Sequence, residues 1–494
     1  MAMLLIPRYL CATFHLLMSL SITAKILPPY TPTDYFLLNC SLSSNSTSPD
    51  GRHYEGDSNS KFSPPNIHTT SSTSEASQQD PYVTEVPYMT ACIFQSPTSH
   101  IPSQSRPAQS SFACTSTQSY SNLDKTRSFF SVSANDFTLL TNFSVFLTVL
   151  VSFSKHPSAP IVVKEFIITV LNSHHLNVTF IPSSSSYAFV NGIEIVSMPN
   201  NLYLRDQDSI ELVPNFVNFK QVVCSVNTTA LETMYRLNVG GQEILNIKDT
   251  GMFRTWKHNE DYIYENCIGT LPHLPNITIK YSKDTPVYTA PKLVYSTSRT
   301  MAVHPEINLS YNLTWIFPVD TGFIYLVRLH FCETQLEVTK VNQRVFRVFI
   351  YNQTAEEATD VIQWSGETGI PMYKDYFVLV PKKIQGKQDL WLALHPNRDL
   401  NPEPEFADAV LNSVEIFKLN QSKGNLAGPN PELVVGPTSG FPEEETENKN
   451  PSKFSLVMFV AGTVGGASFA IMICSLCFLA YWLSRNIRRV RLIC

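Results

Sequence analysis

The residues that could carry out a reaction are few and poorly grouped. A glycoside hydrolase needs two carboxylates converging on a sugar, one of them with a raised pKa. The pairs on offer are Glu194 with Asp208 and Glu415 with Asp408, in a chain that holds 41 acidic residues. Glu194 and Glu415 fall at matching places in an internal repeat, which predicts structural roles for both. His174-His175 and His330-Phe331-Cys332 carry zinc-ligating atoms, but neither has a second pair at ligand spacing. They read as surface imidazoles and a strand histidine. No G-x-S-x-G elbow occurs, and Ser365 in Trp364-Ser365-Gly366 reads as a turn residue. The expectation is a chain that binds without catalysing, with no catalytic residues, metal or cofactor.

Sugar recognition would use ring faces that stack on C–H surfaces, with amides and acids close by. Tyr54, Trp256, Tyr262, Tyr264 and Trp364 qualify by type, although rings in a β protein more often fill its core. Cys40, Cys92, Cys114, Cys224, Cys267 and Cys332 are suited to disulfides in an exported chain, yet six cysteines allow 15 pairings. Asn39, Asn45, Asn142, Asn177, Asn227, Asn276, Asn308, Asn312, Asn352 and Asn420 each begin an N-x-S/T sequon, and the exposed ones are expected to carry glycan.

The elements that position these residues follow from composition and pattern. Thirty-three prolines against 18 glycines, with 30 phenylalanines and 21 tyrosines, fit a turn-rich β protein. A net charge of -5, without a concentrated basic face, argues against nucleic-acid binding. Residues 1–24 have an early Arg8, an apolar run and a small-residue end, which predicts a signal peptide. Residues 454–484 are uncharged and long enough to span a bilayer. Arginines follow this stretch and glutamates precede it, which puts the N-terminal body outside the cell and the basic tail 485–494 in the cytosol. Gly462 to Gly466 holds a GxxxG spacing that either lets two such helices approach closely and dimerise or reflects how common glycine is in membrane helices. Cys474, Cys477 and Cys494 lie in or beside this stretch, where they would pack as small apolar residues or be acylated. Residues 421–453 read as a solvated stalk, and Ser41 to Gln79 as a long Ser/Thr-rich loop.

Self-similarity then divides the body in two. Tyr187-Ala-Phe-Val-Asn-Gly-Ile-Glu-Ile195 returns as Asp408-Ala-Val-Leu-Asn-Ser-Val-Glu-Ile416, and Val163–Val170 returns as Tyr373–Val380. Phe130-Ser-Val132 matches Phe346-Arg-Val348, Leu38-Asn39 matches Leu237-Asn238, and Arg52-His-Tyr54 matches Arg254-Thr-Trp256. The segments are short, rich in Val, Ile, Phe and Tyr, and bounded by turn residues. Phe323, Tyr325, Val327, Leu329 and Phe331 alternate with their neighbours, as do Leu390, Leu392 and Leu394, each predicting a strand with one buried face. The fold class is therefore all-β: two tandem β-sandwich domains, 25–216 and 217–420, plus one transmembrane helix.

These motifs resemble a known family. L-N-C, R-x-Y/W, V-P-Y-M-T-A-x-I-F-Q-S-P, Y-A-F-V-N-G-I-E-I and F-P-V-D-T-G-F-I-Y-L-V-R-L-H-F look like the malectin-like ectodomain of plant receptor-like kinases of the FERONIA group. The resemblance implies a single-pass plasma-membrane receptor. Its partners would be a secreted peptide of the rapid-alkalinisation type, a GPI-anchored co-receptor or cell-wall polysaccharide. Two departures stand out. The family continues into a kinase beyond the membrane, whereas this sequence stops at Cys494, which implies a kinase-lacking, non-enzymatic form. Opposite Trp315 to Cys332, the first copy has only the polar Ser99 to Gln118, so a central strand is expected to be missing. Codons for His100 to Gln118 read two bases on, with third bases free, give YSFPVSPGPKFVRLYFYP, matching WIFPVDTGFIYLVRLHFC of the second copy. Residues 99–118 therefore read as a frameshifted strand. The alternatives are the non-functional product of a degraded receptor kinase gene and an extracellular carbohydrate-active enzyme.

Overall fold

The computed structural model describes residues 29–432, apart from 58–70, 78–82, 101–107, 116–119, 121–122, 156–160, 171–175, 205–214, 219–227, 265–268, 273–276, 303 and 384–385. The expected signal peptide, membrane helix, basic tail and most of the stalk lie outside the described residues, as do Asp208, His174, His175, Cys224, Cys267, Asn227 and Asn276. Among the described residues no helix is long and apolar enough to cross a membrane.

The structure is mostly β, and the repeat reappears as strand order. One long sheet runs Tyr35–Asn39, Gly192–Ser197, Ala108–Thr115, Ile161–Ile168, then Leu231–Asn238, Ser413–Leu419, Phe323–Phe331, Met372–Val380. The first four and the last four correspond one for one along the sequence repeat. Facing them are two shorter sheets with the same internal order. Thr98–His100, Val178–Pro182, Phe130–Ala134 and Phe137–Phe143 form one, and Leu313–Asp320, Lys387–Pro396, Phe346–Ile350 and Gln353–Thr359 the other. Each pair of layers encloses its own core, with Phe130, Phe166, Phe180 and Ile195 in the first and Trp315, Phe317, Tyr325, Leu392 and Ile416 in the second.

The two halves are not separate beads. Ile161–Ile168 pairs antiparallel with Leu231–Asn238 through Phe166 opposite Glu232 and Ile167 opposite Leu231, so the long sheet is continuous across the junction. Charged side chains reinforce it: Lys164 Nζ lies 2.7 Å from Glu232 Oε1, and Arg236 donates to both oxygens of Glu165. The stretch expected to begin the solvated stalk also returns. Leu426 is fully buried in the first core with its N–H on Thr138 O, and Asn430 Oδ1 accepts from Ser144 N. An apolar side chain that reaches an open core edge gains more by burial than it would in solvent.

Two further expectations are corrected. Phe323–Phe331 does not have a single buried face, because Leu326, Arg328 and His330 are as buried as their alternates. The second face is covered by Met198, Leu202 and Tyr203, from the segment that follows the first half's last sheet strand. The first half also does not lack its central strand. Ala108–Thr115 occupies the place of Phe323–Phe331, paired along its whole length with Ile161–Ile168 and over six positions with Gly192–Ser197. Only its layer partner is short, Thr98–His100 standing where the second half has Leu313–Asp320. Backbone N–H and C=O groups make the ladder, and any non-proline sequence supplies them. Two neighbouring strands left unpaired and buried would be costly.

Hydrogen exchange checks this strand. Amides of 108–115 should be protected as strongly as the junction strand Leu231–Asn238, and Ser111→Pro should cost about 1–3 kcal/mol by removing a ladder donor and leaving its carbonyl partner unpaired. Rapid exchange of 108–115 in the folded chain would refute the placement.

Candidate functional site

The candidate catalytic acids are fixtures of the fold. Glu194, on Gly192–Ser197, accepts from Arg52 Nη1 and from the Tyr54 hydroxyl, both at 2.7 Å. Glu415 is unexposed and accepts from the Tyr203 hydroxyl at 2.9 Å, Arg236 Nε at 2.8 Å and His330 Nε2 at 3.0 Å. Burial alone would raise its pKa, but the hydrogen bond from His330 and the charge of Arg236 hold it well below the carboxylate range. Asp408 bridges to Arg344 and accepts from the N–H groups of Met301 and Ala409, while burial pushes its pKa up. Each of these acids is held by donors that belong to the fold.

The other sequence candidates divide between core and surface. His330 uses both ring nitrogens: Nε2–H donates to Glu415, and Nδ1 accepts from the Tyr295 hydroxyl at 2.9 Å, the arrangement of a neutral ring. Burial lowers its pKa. Cys332 is buried beside it in sequence, and its backbone N–H donates to Asn412 Oδ1. Ser365 closes the short helix Val361–Ser365 and donates to Glu367 O, as a turn residue would. Tyr54 and Trp256 are buried. Tyr262 packs on Tyr235 and Phe317, and Trp364 on Phe331 with Lys374 Nζ 4.6 Å from its ring. Only Tyr264, 46% exposed, faces an open site.

That site is a cleft of about 340 Å³ on the outer face of the second half's shorter sheet, lined by Tyr264, Tyr311, Thr314, Phe349, Trp391 and Ala393. Period-two alternation builds it: Leu390, Leu392 and Leu394 point into the core, so Trp391 and Ala393 point out. The Tyr264 and Trp391 rings sit 5.4 Å apart. Asn312 and Asn352, both sequon residues, stand on the rim, the latter in a two-residue hairpin turn whose Tyr351 and Asn352 both have positive φ. Ring faces with flanking amides suit a saccharide. Trp391, Tyr311 and Phe349 were missed in the sequence, although Trp391 was legible as the outward residue between Leu390 and Leu392.

The sequons divide by exposure. Asn45, Asn142, Asn177, Asn312 and Asn352 are exposed. Asn39 and Asn308 are corrections, since both are buried with Nδ2 committed, to Ser46 Oγ and to the carbonyls of Ala302 and Ala407. A glycan there would break those bonds. Asn420 also spends Nδ2, on the carbonyls of Thr228 and Gln421.

A malectin-like domain profile matches residues 38–419. The chain belongs to the malectin-like family. The receptor-like protein kinase FERONIA of Arabidopsis thaliana is 44% identical over 475 residues, covering 94% of this chain and 51% of FERONIA. ANXUR1 of the same plant is 38% identical over 456 residues, covering 90% and 50%. The chain thus spans about half the length of the curated relatives it matches. The solved plant receptor-like kinase FER is similar with a TM-score of 0.71 at 46% identity, over 81% of this chain and 99% of that one. A structure of the peptide RALF23 in complex with FER and LLG2 matches with a TM-score of 0.71 at 44% identity, over the same shares. The matched region is thus of the malectin-like type, like the solved FER chain.

In this malectin-like chain the Glu415 cluster sets a pH response. Folding lowers the pKa of His330 below its ordinary 6.5, so below that pH the unfolded chain takes up the proton more readily and stability falls. The carboxylate contribution of Glu415, whose pKa is depressed, is lost only at more acidic pH. Denaturant titrations should show falling stability from pH 6.5 to 5, a smaller fall in His330→Gln, and a loss of about 3–5 kcal/mol in Glu415→Gln at neutral pH.

Proposed function

We propose that this protein is a single-pass plasma-membrane receptor-like protein whose two tandem malectin-like sandwiches lie outside the cell, glycosylated at its exposed sequons. The ectodomain binds a secreted peptide of the rapid-alkalinisation type together with a GPI-anchored co-receptor. The observation carrying this reading is the likeness over 99% of the FER chain that was solved with RALF23 and LLG2. The locked state of Glu194, Glu415 and Asp408 supports binding over catalysis. Residues 99–118 are read as frameshifted sequence, of which Ala108–Thr115 is carried by a backbone ladder, and residues 454–484 as the membrane anchor.

The full chain in plant membranes should retain a synthetic peptide of this type, and retain more when the co-receptor is co-expressed. No retention in an assay where FERONIA itself retains the peptide would overturn the reading.

A second reading is favoured by the Tyr264–Trp391 cleft: the second half also holds a wall saccharide there. Trp391→Ala should weaken binding of a wall oligosaccharide by up to about tenfold, from the loss of about 0.5–1.5 kcal/mol of ring stacking, and leave peptide binding unchanged. Equal loss of both would place the saccharide elsewhere.

A further inference from the structure

The sequence leaves the cysteine pairing open, and the fold brings two of the cysteines together. Cys40 follows the strand Tyr35–Asn39, and its N–H donates to Asn191 O at 2.9 Å. Cys92 lies in Thr90–Phe94, opposite Val190. Val190 and Asn191 are consecutive, at the point where the chain leaves a small three-stranded sheet and enters the long one as Gly192–Ser197. Side chains attached to the partners of two adjacent residues, one in each sheet, therefore meet at the seam. The Sγ atoms of Cys40 and Cys92 and a carboxylate oxygen of Asp57 all lie within 4.8 Å of one another, at residues 0%, 5% and 1% exposed. Asp57 Oδ2 accepts from Cys92 Sγ at 3.2 Å, and its Oδ1 accepts from Ser41 N at 2.7 Å.

The second half shows what this seam requires. Asn259 takes the place of Asp57, its Oδ1 accepting from Gly240 N at 2.8 Å. Val239 stands for Cys40, with its N–H on Asn412 O. Arg299, paired with Leu411 as Cys92 is with Val190, stands for Cys92 and donates to Glu260 Oε1 at 2.6 Å. A long cation tied to a neighbouring acid links the seam there. No thiol is needed to complete the packing, since valine does it.

We propose that Cys40 and Cys92 form a disulfide in the mature protein, the first half's substitute for the second half's Arg299–Glu260 link. This rests on the extracellular location proposed above. The step is thiol–disulfide exchange: two thiol hydrogens and two electrons pass to the disulfide of a lumenal thiol oxidoreductase, which leaves as the dithiol. The bond closes a loop that contains the Ser/Thr-rich tract and ties the two sheets where the hydrogen bonds of Thr90 Oγ1 to Asn39 Oδ1 and of Asn191 Nδ2 to Thr90 O already pass between them, restricting the unfolded chain. A metal is a poorer occupant. Structural zinc takes four protein ligands, and one of the three available here already spends an oxygen on Ser41 N–H.

The full chain, expressed in plant cells and extracted into iodoacetamide, should yield on digestion a joined Cys40–Cys92 peptide two hydrogens lighter than the separate thiols. Reduction should lower the unfolding temperature of this protein and leave that of a Cys40→Val, Cys92→Ser chain unmoved. Alkylation of both cysteines in the exported protein, a joined peptide to another cysteine, or stoichiometric zinc with both thiols retained would each overturn the proposal. N-glycan removal reports export separately. If the chain carries no glycan, the location fails rather than the bond, and the same mapping after refolding in a glutathione redox buffer decides the pairing.

Discussion

Glu415 is a carboxylate with no exposure, and its three donors come from three different parts of the chain. Arg236 is on the junction strand, His330 on the central strand of the second half, and Tyr203 on the segment leaving the first half. An ion of this kind is tolerable in a low-dielectric interior only when every lone pair is occupied, so each donor is held in place by the acid and by its own second partner. Arg236 continues to Glu165 in the first half, and Tyr203 is itself held by Arg254, which is clamped on Asp249. Arg328 adds Leu202 O and both oxygens of Asp375 to the same layer. The polar layer therefore sits where the two halves meet, and the continuous sheet runs beside it.

This junction gives a physical meaning to the repeat. In the first half Glu194 is bonded directly by Arg52 and Tyr54, the counterparts of Arg254 and Trp256. In the second half the tryptophan spends its N–H on Asp249, and Tyr203 from the preceding half supplies a hydroxyl to the acid instead. One half thus completes the other's buried network. The return of Leu426 into the first core is the reverse exchange. The Tyr264–Trp391 cleft is left on an outer face, where the pleat points residues away from the core.

Much of this was legible in the residues. The repeat fixed which strands correspond, and the strand order of both halves follows it. Period-two runs such as Leu390 to Leu394 assigned the core face, and by the same rule assigned Trp391 to the cleft. The shared position of Glu194 and Glu415 pointed to structure over catalysis, because a buried acid at a repeated place is set by the fold it repeats with. What failed to read were features made by segments distant in sequence. The second buried face of Phe323–Phe331 depends on Met198 to Tyr203 lying across it, and the burial of Asn39 and Asn308 depends on carbonyls and hydroxyls supplied by other loops.

The sequence by itself determined the family, the β class, the two copies and the alternation that sorts core from surface, because these follow from local periodicity and from residues compared with their own repeat. Only the tertiary structure decided that the halves share one sheet, that Ala108–Thr115 fills a strand its side chains do not advertise, and which cysteines meet. Those outcomes rest on backbone ladders and on contacts between segments up to hundreds of residues apart. Hydrogen bonding of the main chain is nearly blind to side-chain type, and through-space proximity leaves no periodic trace along the chain.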